Sequence, residues 1–528
     1  MRKTILVGAA GVGLGVSAVA YAGGFETGEN GTRALGRGGA YVATVDEPSA
    51  IYFNPAALAR IGGTAATLNL NLVDYNLSFQ REPFVYDEPN VLRNPTRTIE
   101  FEEVEQELGI FPAPMLFVST NFGLEGWGFG FGAYGPSAYG KSEFPDMTVR
   151  PDDFAGDVCG VYRPCRDDAQ TEADESVIVR DGGQGYMMTR QTVLTVYPSL
   201  AVARYIERAN LSLGLTLQAA YLSVDFETGV DGSSFDVVDA EAESVEADDF
   251  FTPNTLSVTD WTPTAIVGVL WEPTEEITVG ASYRPRFNFL GKGSVEIDFP
   301  SGLLAAEPRL TDNTGTLKLR FPDAVRLGAA YTKRRSNGAD LWDVGLDVVY
   351  EGWSRTKFFE VNINGGVTDN TGLLDNRPIP TLRLGRYYQD SVSVRAGSDL
   401  SFLRDAETGN GPVFRLGASY ETSSSPEEWT NVDFTPFARL GTTAGFSYHV
   451  GPVSIDLAYA AYMSPERTVT DGKFDVMMPL WICNAPSDTR DFPAEECAAT
   501  GLEPTHAVNN GTYNTFTQTF SVGATYGW

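Results

Sequence analysis

The chain has 528 residues, with 38 Lys and Arg against 69 Asp and Glu and a net charge of −31 at pH 7. That balance excludes nucleic acid as a partner, which requires a basic face. A hydrophobic content of 42%, with 55 Gly, 31 Phe and 23 Tyr, excludes a disordered chain, and the acidic excess reads as solubilising loops, with a cation-binding surface as the alternative.

The first 22 residues read as a signal peptide. Arg2 and Lys3 form its positive end, residues 4–19 are small and apolar, and Ala20-Tyr21-Ala22 fits the cleavage pattern before Gly23. No Cys follows that point, which argues against a lipid anchor, so the protein is expected to leave the cytoplasm. Beyond it, no run of about 18 apolar residues predicts a membrane helix.

Residues 23–63 predict a small hatch of short helices. Asn54 precedes a proline, which favours extended backbone and lets its side chain cap the first turn. Pro55 then sits where no N–H is needed. Ala56, Ala57, Leu58 and Ala59 continue the helix, and Gly62-Gly63 end it. Asp46-Glu47-Pro48 offers a similar start upstream, and Gly36, Gly38 and Gly39 permit close packing. The segment has too few apolar residues for its own core and is expected to fold against something larger.

From residue 64 onward, apolar residues alternate with small or polar ones. Leu211, Leu213, Leu215 and Leu217 share one face, and Ser212, Thr216 and Gln218 share the other. The same rhythm recurs in 342–350 and 453–461. Strands are predicted near 64–80, 112–121, 127–135, 186–206, 210–225, 258–271, 276–297, 316–333, 340–361, 381–401, 412–421, 436–449, 453–463 and 513–528. Short joins alternate with long ones throughout. That sorting and an even count predict an all-β fold, a 14-stranded antiparallel transmembrane β-barrel spanning 64–528, whose closure satisfies the backbone in lipid.

The first strand changes face midway. Leu68, Leu70 and Leu72 point one way and Val73, Tyr75, Leu77 and Phe79 the other, so either a bulge shifts the phase or apolar residues enter the lumen. The last strand sets Phe516, Phe520, Val522, Ala524, Tyr526 and Trp528 on one face. Cys159/Cys165 and Cys483/Cys497 are close pairs in polar segments of an exported chain and read as two loop disulfides, Cys159–Cys165 and Cys483–Cys497. Their spacing is not that of a zinc site, and no metal is expected.

The stretch "GGFETGENGTRALGRGGAYVATVDEPSAIYFNPAALA" resembles the N-terminal hatch of the FadL/TodX (OmpP1) family of outer-membrane transporters for hydrophobic compounds. "WGFGFGAYGPSAYG" (127–140), "YPSLAVARYIERANLSLGL" (197–215) and "YQDSVSVRAGSDLSF" (388–402) extend the resemblance, with Tyr388 where the family more often has Trp. The resemblance implies a barrel plugged by its hatch. Substrate would pass from the outer loops to an apolar lumen pocket and leave sideways through the wall near the third strand.

For the hatch, the resemblance implies that Gly23, Gly24 and Phe25 reach toward the pocket and that the "FNPA" motif, Phe53, Asn54, Pro55 and Ala56, belongs to it. Arg33, Arg37 and Arg60 would pair either with a substrate carboxylate or with acidic residues of the lumen wall. Phe129, Phe131, Gly132, Tyr134, Gly135 and Pro136 occupy the place of the lateral opening. Pro cannot donate to a sheet ladder and Gly weakens it, so a break in pairing is expected around 132–137, unless the strand simply ends there.

Long-chain fatty acids are the expected cargo, with an aromatic-hydrocarbon transporter of the same fold or a general porin as alternatives. The expected partners are a hydrophobic small molecule, outer-membrane lipid and lipopolysaccharide, and the barrel-assembly machinery through Trp528. The protein is expected to be a monomer in the outer membrane of a Gram-negative bacterium, without cofactors. An enzyme is not expected, because His449 near Ser447 lies in no nucleophile motif. The long acidic loops also suit an adhesin or phage receptor.

Overall fold

The computed structural model describes residues 30–87, 96–107, 109–135, 141–145, 177–180, 182–231, 251–298, 309–368, 370, 376–379, 381–474 and 507–528. Fourteen antiparallel wall strands close into a barrel. The first six are β1 (Thr64–Arg81), β2 (Phe111–Thr120), β3 (Trp127–Tyr134), β4 (Arg190–Ile206), β5 (Leu211–Asp231) and β6 (Phe251–Trp271). The next four are each in two pieces: β7 (Ile277–Arg284, Phe287–Ile297), β8 (Thr314–Phe321, Ala324–Arg334), β9 (Asp340–Glu351, Phe358–Ile363) and β10 (Leu382–Gly385, Ser391–Leu400). The wall ends with β11 (Gly411–Glu421), β12 (Arg439–Val450), β13 (Val453–Met463) and β14 (Gly511–Gly527). β14 returns to β1 in unbroken register from Ala65↔Gly527 to Arg81↔Gly511, so the sheet has no edge there. No helix among the described residues is long and apolar enough to cross a membrane.

The outer surface is apolar where a soluble protein would be polar. On β5, Leu213, Leu215 and Leu217 are exposed while Ser212, Thr216 and Gln218 are buried. That inversion suits a wall whose outer solvent is hydrocarbon. Aromatic residues border the band, with Trp271, Tyr331, Tyr526 and Trp528 exposed near the short turns and Tyr283, Tyr350 and Tyr420 at the opposite side.

The phase change in β1 is not a bulge, because its register with β14 never shifts. Leu68 and Leu70 face outward, and Val73, Leu77 and Phe79 are buried inside. This strand therefore turns apolar side chains into the outer half of the lumen.

The breaks in β7 to β10 were not predicted from the alternation. Pro285 and Pro322, which lack a ladder donor, sit in two of the gaps, and a short 3₁₀ turn, Trp353–Arg355, sits in a third. The breaks admit large inward side chains. Phe287 and Phe321 stack at 4.7 Å, and Trp353 meets Tyr388 edge-on at 5.9 Å. In β7 and β8 the inward phase switches from even to odd positions across the gap.

Candidate functional site

Residues 30–63 fill the turn end of the lumen. They carry α1 (Thr32–Gly36), α2 (Ala50–Phe53) and a 3₁₀ turn (Pro55–Arg60). The Asn54 side chain accepts the Ala56 N–H at 3.2 Å, the cap expected of it. It also donates to Val42 O at 3.1 Å and to Val269 O of β6 at 2.9 Å, tying the segment to the wall. Pro55 and Ala56 are buried beside it, and Phe53 packs edge-on against Tyr41 at 5.4 Å and Tyr52 at 4.9 Å.

The three hatch arginines meet wall or hatch carboxylates. Arg33 donates to Asp456 of β13 at 3.1 Å and to Asp46 at 3.3 Å. Arg37 bonds Asp343 of β9 at 2.6 Å and also Asp399 of β10. Arg60 reaches Glu272 at 3.0 Å. Asp347 of β9 accepts the Tyr41 and Val42 N–H groups at 2.7 and 2.8 Å. Wall hydroxyls complete the seat: Thr216 donates to Ile51 O at 2.8 Å, and Ser282 to Phe53 O at 2.7 Å.

Glycines make the seat possible. A Cβ at Gly128 would strike Leu58 O, at Gly214 Ala56 N, at Gly268 Asn54 Oδ1, at Gly280 Val42 O, at Gly397 Arg37 O and at Gly417 Arg37 C. Several stand opposite one another across neighbouring strands, as in Gly214↔Gly268 and Gly397↔Gly417. The sequence reading assigned close packing to hatch glycines and missed this band in the wall.

Glu47 is buried beside Arg33, with Asp456 and Asp46 near. Burial pushes its pKa up to about 7, opposed by Arg33 and helped by the two carboxylates. An acid whose pKa rises on seating favours the seated state most below its ordinary value of about 4.5, and that preference fades as pH climbs through 7. The full difference is about 3 kcal/mol. Channel recordings are expected to show more frequent opening at pH 8 than at pH 5, with the difference smaller in Glu47→Gln.

Above the hatch, apolar side chains from many strands converge, among them Val193, Leu222, Val258, Phe289, Leu319 and Phe359. At the base of this region lie two buried arginines that the sequence reading did not single out. Arg326 of β8 donates to the Tyr52 hydroxyl at 3.0 Å, and its guanidinium lies 4.7 Å over the Tyr52 ring. Its Nη1 is buried without a hydrogen-bond partner, and it makes no ion pair among the described residues. Arg284 of β7 is 2% exposed, with its guanidinium 5.7 Å from the Phe287 ring. A signal was available, since both occupy inward phases of lipid-spanning strands, where charge is costly.

Beside this region the pairing among the described wall residues stops short. β2 pairs with β3 only from Leu116↔Ala133 to Thr120↔Phe129. Farther along, Glu107 N–H donates to Glu143 O at 2.8 Å. Between these limits Phe111–Met115 has no ladder partner toward β3 among the described residues. Tyr134 faces the lumen at this level, 1% exposed, accepting a hydrogen bond from Gln218 at 2.6 Å. Gly135 lies against Thr195 O, and Gly132 against the Phe117 and Tyr134 rings. Phe129 and Phe131 sit on the opposite phase. Phe131 is 42% exposed to the outside, and Phe129 stacks on Trp127 at 6.0 Å. Gly23, Gly24, Phe25, Pro136 and all four cysteines lie outside the described residues.

The Ser447 hydroxyl bonds Arg415 and Asp456, and no hydrogen bond joins it to His449. Among the described residues no cluster of three His, Cys, Asp or Glu side chains is placed to hold a metal ion.

A closed, plugged barrel with an apolar interior defines the class: a hydrophobic-compound channel of the outer membrane. Residues 171–480 match the family described as outer membrane protein transport protein (OMPP1/FadL/TodX), and the chain belongs to that family. The fold is similar to that of a FadL homologue from Pseudomonas aeruginosa, at 15% identity and a TM-score of 0.67, covering 96% of this chain and 100% of that one. It is also similar to the Ralstonia pickettii toluene transporter TbuX, at 14% identity and a TM-score of 0.56, covering 94% and 99%. The P. putida toluene transporter TodX follows at 13% identity and a TM-score of 0.55, covering 95% and 99%. No curated protein matches the chain by sequence.

Proposed function

We propose that the protein carries long-chain fatty acids inward across the outer membrane. The observation behind this reading is Arg326, a buried guanidinium with an unmet donor at the floor of an apolar lumen. Such a group is costly to bury unless a counter-charge arrives, and a fatty acid brings a carboxylate on a chain that the apolar wall accommodates. Each buried CH₂ contributes about 0.8 kcal/mol, so the tail supplies affinity and the headgroup supplies selection.

In this reading residues 1–22 are removed on export, 23–63 form the movable plug, and cargo leaves sideways through the interruption between β2 and β3, past Tyr134. The barrel-assembly machinery would read the strand ending at Trp528. A second reading, transport of aromatic hydrocarbons, draws on the ring cluster of Tyr52, Tyr134 and Phe117, with centroids 5.6 and 5.0 Å apart.

Uptake of labelled oleate and toluene by cells making the wild type or Arg326→Leu separates the two. A charge-assisted hydrogen bond is worth about 1.5–3 kcal/mol, so oleate uptake is expected to fall by roughly ten-fold or more while toluene uptake holds. Unchanged oleate uptake defeats the fatty-acid reading. An equal loss of both makes Arg326 a structural residue.

A further inference from the structure

Although the protein is acidic overall, one part of its outer wall is not. Above the tyrosine girdle, the outward faces of β7 to β10 carry Lys292, Lys318, Arg320 and Arg383, with Arg355 and Lys357 just below them. The register sets the upper four in one patch, with Lys292 diagonal to Lys318 and Arg383 across Glu360 from it. Leu290 pairs with Lys318, Lys292 with Thr316, Lys318 with Glu360, and Glu360 with Arg383.

Glu360 is the single carboxylate within this group, bonded to Lys318 at 3.0 Å and Arg320 at 2.9 Å. Lys292 and Arg383 make no ion pair among the described residues. Three acids lie at the lower edge: Asp390 accepts from the Tyr350 hydroxyl at 2.7 Å and Ser354 N–H at 2.8 Å, Glu351 accepts from the Trp353 ring N–H at 2.9 Å, and Asp323 sits beside Tyr350. The upper group therefore keeps an excess of positive charge.

Its height identifies what it faces. Val325 pairs with both Tyr283 and Tyr350 of the girdle. Arg320 and Lys318 lie five and seven residues farther along β8, roughly 13 and 18 Å above for tilted strands. At that distance beyond the girdle, outward-facing charged groups suit the headgroup layer of the outer leaflet. Leu290, 46% exposed beside Lys318, adds an apolar contact.

We propose that this face of β7 to β10 docks a phosphorylated glycolipid of the outer leaflet. Arginine matches phosphate oxygens bidentately, and lysine supplies a point charge beside it. Charged groups at a membrane surface act within a short screening distance, so a cluster in register is more effective than the same charges dispersed. The docked lipid anchors the broken strands where their ladder is weakest, immediately above the gaps at 285–286 and 322–323.

The test uses the full chain in mild detergent, read by native mass spectrometry. Three additions are compared: phosphorylated glycolipid, the same lipid dephosphorylated, and inorganic phosphate. The wild type is expected to hold the first at least ten-fold more tightly than the second, with no effect of the third at equal concentration. Lys292→Gln/Lys318→Gln/Arg383→Gln is expected to lose that preference. Arg190→Gln on β4, whose native partner is Glu227, is expected to keep it. Should the triple variant not assemble, Lys292→Gln and Arg383→Gln alone are each expected to weaken binding about three-fold. Equal retention of both lipids, undiminished binding in the variants, or full competition by inorganic phosphate would overturn the proposal.

Discussion

Arg37→Met is expected to leave a folded barrel whose plug no longer stays seated, raising channel conductance and exposing residues 30–63 to protease. Arg37 is 1% exposed and joins two wall carboxylates, Asp343 and Asp399. Its Nε also closes the turn onto Ala40 O at 3.2 Å. Removing one member of a buried charge cluster costs about 3–5 kcal/mol, because the surviving charge stays buried without a partner. The lower end applies here, since both carboxylates are about one-fifth exposed.

The two acids are not equivalent. Asp399 keeps a bond from Arg415 at 2.9 Å after Arg37 is lost. Asp343 has Arg37 as its one ion partner among the described residues, so it becomes the stranded charge. The double variant Arg37→Met/Asp343→Asn is therefore expected to recover much of the plug's stability, whereas Arg37→Met/Asp399→Asn recovers little. Equal rescue by both would show that total charge in the seat matters and the individual pairing does not.

The capped turn at Asn54-Pro55-Ala56 was legible because everything that makes it lies within a few residues: an extended residue before proline, a side-chain acceptor and a proline with no donor to lose. The wall was legible for a different reason. Alternation such as Leu213-Gly214-Leu215-Thr216 repeats in every strand, and a closed sheet in lipid is the architecture that uses it throughout. What alternation cannot display is a change of phase. At Pro285 and Pro322 the strand stops and restarts with its faces exchanged, so the inward positions above the gap belong to the outward set below it. Phe129 and Phe131 show the same limit, since glycines on both sides hide which face the aromatics take.

The Arg326 and Arg284 pair, the glycine band and the basic face share one further obstacle. Each joins residues far apart in sequence, and they meet only once register and closure fix their heights. Arg33 and Arg37 had two possible kinds of partner from sequence alone. The wall carboxylates that meet them come from β9, β10 and β13, hundreds of positions away.

Gly268→Val is expected to unseat the plug by shape alone, with no charge changed. Gly268 is paired with Gly214 on β5, and together they form the surface on which Asn54, Pro55 and Ala56 rest. A Cβ at Gly268 would meet Asn54 Oδ1 and, at 2.8 Å, Pro55 Cδ. Neither neighbour yields cheaply, because Asn54 is fixed by bonds to Val42 O and Val269 O and proline has a rigid ring. Overpacking of a close contact costs about 1–3 kcal/mol, and valine adds two methyl groups beyond that Cβ. The wall itself should tolerate the change, since valine suits a strand and the ladder to β5 is untouched. Heat-modifiable migration of the barrel is thus expected to match the wild type while conductance rises. Gly62→Val, where a Cβ would meet nothing within 4 Å, is expected to leave both unchanged. A Gly268→Val channel as tight as the wild type would mean that the ion pairs alone hold the plug and that the glycine band does not set its position.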